Sequence, residues 1–112
     1  MKQVTYAGTS FITGTAIADS LLALVAALGV SRETASVNIP ALDADERVTS
    51  VDLVIGPASE VVAIGITTAA PELIDDAAVL DLDDRARSLT VPQAVATTEQ
   101  MPPIWEYPDD IG

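Results

Sequence analysis

The stretch from Thr15 to Leu28 constrains the fold more than any other part of this sequence, because it is nearly free of charge. One set of its apolar residues recurs at the i, i+4, i+7 spacing that is typical of a core-facing helical stripe. Asp19 and Ser20 are its plainly polar positions. A surface helix of this length normally carries several charges, so the sequence predicts a helix that is covered on two sides. The core-facing stripe consists of Ile17, Leu21, Leu24, Val25 and Leu28.

The second face of this helix consists mainly of alanine, at positions 16, 18, 23, 26 and 27. Alanine allows another element to approach the helix backbone closely. The covering element is either the chain's own C-terminal segment or a second subunit. We therefore take Ala23 and Ala27 as candidate partner-binding residues.

Turn residues divide the N-terminal part into strands followed by this helix. Residues 2–12 are rich in β-branched and aromatic side chains and are interrupted at Ala7-Gly8. This dipeptide fits either a two-residue hairpin turn or a bulge within one strand. Gly14 opens the helix, and Gly29 is expected to end it.

Three strand-like runs follow the helix, at 34–41, 48–55 and 60–68. Pro40 cannot donate a ladder hydrogen bond, so the first run is predicted to be an edge strand or to end there. A turn with proline at its second position, starting at Gly56, is expected to pair the second run with the third. The sequence therefore predicts a three-stranded antiparallel meander against which the helix packs.

A second helix is predicted from Pro71 to Leu89, because proline is favoured at the first helical position. A break near Asp75-Asp76 is the alternative to one continuous helix. Two acid–base pairs at the i, i+4 spacing support the helix, Asp81 with Arg85 and Asp83 with Arg87.

These patterns together predict an α+β fold. Its parts are an N-terminal strand or hairpin, the Ala/Leu-rich helix packed on the meander, an acidic C-terminal helix and an extended arm. Residues 1–89 are predicted to form a single domain. Residues 90–112, which contain four prolines, are predicted to form an extended or polyproline-like acidic arm.

The arm contains Trp105, the only tryptophan of the chain. Burial of such a side chain contributes roughly 2 to 3 kcal/mol, so it normally has a docking site. Either the arm folds back so that Trp105 packs near Tyr6 and Phe11, or it docks on a neighbouring copy or another protein. Ile104 and Tyr107 lie beside Trp105 and complete the candidate partner-binding residues of the arm.

Composition excludes several classes of function. The chain has no cysteine and no histidine, which removes thiolate and imidazole chemistry. A net charge of −12 repels nucleic acid and anionic lipid. The apolar run 21–28 is too short to span a membrane, and the acidic residue just before it does not fit a classical secretion signal. We expect a soluble protein of the cytoplasm or of an assembled particle.

The acidic clusters do not match the spacing of a calcium-binding loop, and no cofactor motif occurs. We therefore expect no metal, no cofactor and no catalytic residue. Two alternatives to a binding role stay open. One is an acidic DNA mimic that inhibits a nucleic-acid-binding protein, and the other is a small enzyme that uses a pair of carboxylates.

The function expected from these features is a non-enzymatic assembly or protein-interaction module. It is expected to bind copies of itself or another protein, using the arm for docking. Extended termini that lace neighbouring subunits are common in assembled particles, including viral ones, so a structural subunit is the favoured form of this hypothesis.

Overall fold

Within residues 1–90, the chain begins with a β-hairpin, and one helix follows the second strand and another follows the fifth. The computed structural model describes residues 1–90. Apart from residue 90, the predicted arm lies outside the described residues. The elements are β1 (Lys2–Tyr6), β2 (Thr9–Thr13), α1 (Thr15–Ser31), β3 (Ala35–Leu42), β4 (Val48–Ile55), β5 (Val61–Gly65) and α2 (Asp76–Thr90).

The five strands form one antiparallel sheet in the order β4-β3-β2-β1-β5. α1 packs against one face of the sheet, and α2 packs against α1. The predicted α+β class is therefore confirmed. Within residues 1–90, neither helix is long and apolar enough to cross a membrane. The larger core residues are Val4, Ile17, Leu21, Leu24, Leu28, Val37, Ile39, Leu53, Ile55 and Leu82.

The connection between β1 and β2 is a two-residue hairpin turn, one of the two structures predicted for Ala7-Gly8. Both residues have positive φ, 53° for Ala7 and 79° for Gly8, as a type I′ turn requires. Tyr6 lies opposite Thr9. No extra residue is therefore left between the strands, and the alternative of a bulge does not apply.

The third strand of the predicted meander pairs elsewhere in the sheet. β5 pairs with β1, with Val61 opposite Tyr6, instead of with β4. The expected turn does form, since the N–H of Ser59 donates to the carbonyl of Gly56 at 3.1 Å. However, the Tyr6 hydroxyl donates to the Val54 carbonyl, so the end of β1 lies close to the end of β4. The short connection that follows β4 therefore brings β5 to the free edge of β1. A turn signal determines where the chain reverses and not which strand it joins.

Pro40 lies inside β3, which is not an edge strand as predicted but lies between β2 and β4. β2 and β3 meet at a single residue pair and then diverge. Proline has no backbone N–H, and the nitrogen of Pro40 faces the gap where β2 and β3 have diverged. No ladder hydrogen bond is therefore lost. The Thr13 hydroxyl donates to the Pro40 carbonyl at 2.7 Å. Arg85 of α2 donates to the Ser36 carbonyl at 3.0 Å. Side chains thus replace the ladder where the two strands separate.

α1 continues past Gly29, the residue predicted to end it, as far as Ser31. The left-handed residue that ends the helix is Arg32, with φ 60°. Its backbone N–H donates to the Leu28 carbonyl, and so does that of Glu33. The helix end is therefore set by this capping arrangement and not by the position of the glycine.

α2 begins at Asp76, five residues later than the predicted start at Pro71. The carboxylate of Asp75 accepts the N–H of Ala78 at 3.1 Å, which makes Asp75 the N-cap. The segment before it stays irregular because Glu72 binds the start of α1 instead of entering a helix.

Candidate functional site

The predicted partner-binding residues fall into two groups. Ala23 and Ala27 lie on α1, where Ala23 is exposed and Ala27 is buried. Ile104, Trp105 and Tyr107 lie outside the described residues. The structure therefore shows the surroundings of the first group alone.

Ala23 and Ala27 line a groove of about 460 Å³ between α1 and α2, which we call the helix groove. The two helices run in the same direction, because their first turns line a second groove together. The sequence predicted that another element covers the alanine face of α1, and α2 covers part of this face. Val30, which is 81% exposed, lies at the end of the helix groove toward which α2 runs. The other lining residues are Ala26, Asp83, Ala86 and Arg87.

The sheet curls so that its two edge strands, β4 and β5, face each other. At one end, the Tyr6 hydroxyl donates to the Val54 carbonyl. At the other end, the Thr68 hydroxyl donates to the Glu46 carboxylate at 3.4 Å. A flat sheet of five strands would hold its edges about 19 Å apart, beyond the reach of these side chains. Within residues 1–90, β4 and β5 do not pair with each other. We call the space between their free edges the slot.

Exposed aliphatic side chains flank the slot on the outer face of the sheet. Four of the seven exposed large hydrophobic residues of the described chain lie on the two edge strands, and each is 55% to 64% exposed. Leu53 and Ile55, the neighbours of Val54, are buried, and Val61 and Ala63, the neighbours of Val62, pack against the core, as strand alternation requires. Sequence reasoning did not single out these residues, although the consecutive apolar run 61–64 leaves both faces of β5 apolar. The four are Val48 and Val54 on β4, and Val62 and Ile64 on β5.

A groove of about 690 Å³ lies at the Tyr6 end of the slot. The hydroxyls of Tyr6 and Ser59 are 3.5 Å apart, and the Ser59 oxygen accepts the N–H of Gly56 at 2.9 Å. Glu60 is the one carboxylate that lines this groove.

Glu72 joins the start of α1 to the start of the chain. The N-terminal ammonium of Met1 donates to Glu72 Oε1 at 2.7 Å, and the N–H of Thr15 donates to Oε2 at 2.7 Å. These hydrogen bonds favour the ionised carboxylate and lower the pKa of Glu72 below its ordinary value. The ionised contact stabilises the fold above the unfolded-state pKa of about 4.3 and stops doing so as the pH falls through the folded-state pKa.

Glu72→Gln should lower the free energy of unfolding at pH 7, because a neutral amide cannot replace the charged acceptor. The difference from the wild type should begin to shrink below about pH 4.3, where Glu72 becomes protonated in the unfolded chain, and should disappear as the pH falls through the lowered folded-state pKa of Glu72. Urea denaturation between pH 3 and 7 measures it. Glu60→Gln is the matched control, since it removes the same charge from an exposed position. A deficit that stays constant over this pH range would show that ionised Glu72 is not the cause.

Among residues 1–90 there is no metal site to suggest a function, and no known relative suggests one. Among residues 1–90, no three Asp or Glu side chains are grouped so that they could hold a metal ion. Comparison with known proteins found no match to a family model, a curated protein or a solved structure. The fold and its surfaces therefore carry the functional argument.

Proposed function

We propose that this protein is a non-enzymatic assembly module, a homo-oligomeric structural subunit that docks through its C-terminal arm. The slot is the observation that carries this proposal, because it combines two unpaired strand edges with exposed aliphatic side chains. An unpaired edge is a ready site of association unless proline, lysine or a bulge blocks it. β5 contains neither proline nor lysine.

The charge distribution favours contacts at the slot over contacts elsewhere. Two copies with a net charge of −12 repel each other, so they can associate most readily where the surface is uncharged. Residues 61–71 carry no charge, and Asp52 is the one charged residue of β4. The carboxylate of Asp52 accepts a hydrogen bond from the Asn38 side chain at 2.6 Å.

The arm supplies the aromatic side chains for docking. Trp105, Tyr107 and Ile104 follow one another closely in a part of the chain that also contains Pro102, Pro103 and Pro108. Aromatic anchors of this kind contribute a large share of the binding energy at protein interfaces. The arm follows α2, which ends at Thr90.

The solution mass tests this proposal. By light scattering, the full chain should have a mass that is a multiple of 11.6 kDa, and a chain that ends at Glu99 should have a lower average mass. Raising the salt from 0.1 to 1 M shortens the Debye length from about 10 to about 3 Å. Because this screens the repulsion between acidic copies, association should persist or strengthen.

Trp105→Ala should reduce the mass as the truncation does, because it removes the main anchor. If the mass and the melting temperature were both unchanged after this substitution, the arm would not be the docking element. A full chain that stays monomeric up to about 1 mM, the weak end of protein–protein affinity, would contradict the proposed function itself.

A further inference from the structure

The outer face of the sheet is uncharged across three adjacent strands, β2, β1 and β5. Val4 of β1 is fully buried on the inner face, and Phe11 and Ala63 lie opposite it and pack against the core. The residues next to them along each strand therefore point outward. We call these outward residues the sheet patch. They are Gln3 and Thr5 on β1, Ser10 and Ile12 on β2, and Val62 and Ile64 on β5.

The one charged residue of these three strands lies on the opposite face. Lys2 is that residue, and its ammonium donates to Asp19 of α1 at 2.6 Å. The lysine therefore points to the helical side of the sheet and leaves the sheet patch neutral. In a chain with a net charge of −12, such a patch is a place where a second acidic molecule can approach without placing charge against charge.

The polar groups of the sheet patch are of the kind that can pair with themselves. The hydroxyls of Thr5 and Ser10 form a hydrogen bond of 2.9 Å with each other, and each hydroxyl keeps the capacity for a further partner. The Gln3 amide both donates and accepts. Beside them, Val62 is 55% exposed and Ile64 is 57% exposed, so the patch also offers apolar area. A face of this composition can meet a copy of itself without leaving a polar group unpaired.

We infer that the sheet patch of one copy packs against the sheet patch of a second copy across a two-fold axis. This inference rests on the proposed function and names the surface through which the copies meet. A two-fold contact uses the same surface on both subunits, and a neutral, self-complementary face satisfies that condition. A basic partner protein would instead be drawn to the acidic parts of the molecule, where its charge is complemented.

The size of the sheet patch explains why the arm is needed as well. Each of its three strands is five residues long, so the patch measures roughly 14 by 17 Å, or about 240 Å². A stable interface covers roughly 800 Å² on each partner. The sheet patch alone therefore makes a weak contact, and the arm of the proposed function supplies the remainder. Loss of either part should lower the mass in solution.

A charge-swap experiment with the full chain tests the inference at Thr5, which lies on the middle strand of the patch. Thr5→Lys and Thr5→Glu should each raise the dissociation constant of the assembly by about tenfold or more, because like charges then meet across the axis. An equimolar mixture of the two variants should regain the wild-type mass in 0.1 M salt, where the Debye length is about 10 Å. It should lose that mass in 1 M salt, where this length is about 3 Å.

Leu80→Lys and Leu80→Glu are the matched control pair, because Leu80 is 59% exposed on α2, on the helical side of the molecule. Each Leu80 variant should keep the wild-type mass, and mixing the two should change nothing. Melting temperatures show whether each variant is folded. Ile64→Lys with Ile64→Glu repeats the swap on β5, so that the test stands if the Thr5 variants fail to fold.

The outcomes separate this inference from the proposed function. If the wild type is oligomeric and folded Thr5 and Ile64 variants keep its mass, the sheet patch is not the contact, and the proposed assembly stands. If single variants lose mass and the mixtures do not regain it, the patch meets a different surface, which overturns the two-fold contact. A wild type that is monomeric up to about 1 mM would overturn both.

Discussion

Gly14→Ala should destabilise the protein by about 3 kcal/mol or prevent folding, because the new methyl group has no space. Gly14 has φ −65° and ψ 151°, an ordinary extended conformation, so backbone strain is not the reason. A Cβ at this position would lie 1.9 Å from the carbonyl oxygen of Leu73. Leu73 cannot easily move away, because Glu72 next to it binds both the N-terminal ammonium and Thr15. Urea denaturation gives the loss in free energy of unfolding.

Gly29→Ala is the matched control and should act in the opposite direction. Gly29 lies inside α1, and a Cβ there would meet no atom within 4 Å. Alanine in a helix is favoured over glycine by about 0.8 to 1 kcal/mol, so this variant should be more stable than the wild type. Equal losses in the two variants would contradict the close approach of Gly14 to Leu73 as the cause.

The parts of the fold that local sequence pattern determines could be predicted. The apolar stripe of α1 and the positive-φ turn at Ala7-Gly8 depend on residues that are neighbours in the chain. The partner of β5 could not be predicted, because it depends on the curl of the whole sheet and on the contact of Tyr6 with Val54. The role of Glu72 was missed for the same reason, since its partners lie far away in the sequence.

Whether Ala23 and Ala27 bind a partner stays a prediction. The small side chains of Ala23 and Ala27 indicated a covered helix face, and α2 covers part of it. The slot could not be predicted, because which strands are edges follows from the strand order and not from the composition of each strand. The roles of Ile104, Trp105 and Tyr107 stay predictions, and so do the DNA-mimic and enzymatic alternatives.

Leu82→Ala should lower the free energy of unfolding by about 3 kcal/mol, the usual cost of a large-to-small change in a core. Leu82 is 1% exposed and is the residue of α2 that lies fully in the core. Its neighbours on the same face of the helix, Val79, Ala86 and Leu89, are partly buried against that core. Because α1 lies directly beneath, the lost side chain leaves a cavity between the two helices. Thermal and urea denaturation measure the effect.

Leu80→Ala deletes the same atoms from the same helix, at a position that is 59% exposed. Since the change in helix propensity is equal, the difference between the two variants isolates burial. We expect Leu80→Ala to stay within about 0.5 kcal/mol of the wild type. A loss below about 1 kcal/mol for Leu82→Ala would mean that α2 is not held against α1 in solution. The helix groove between α1 and α2 would then not persist.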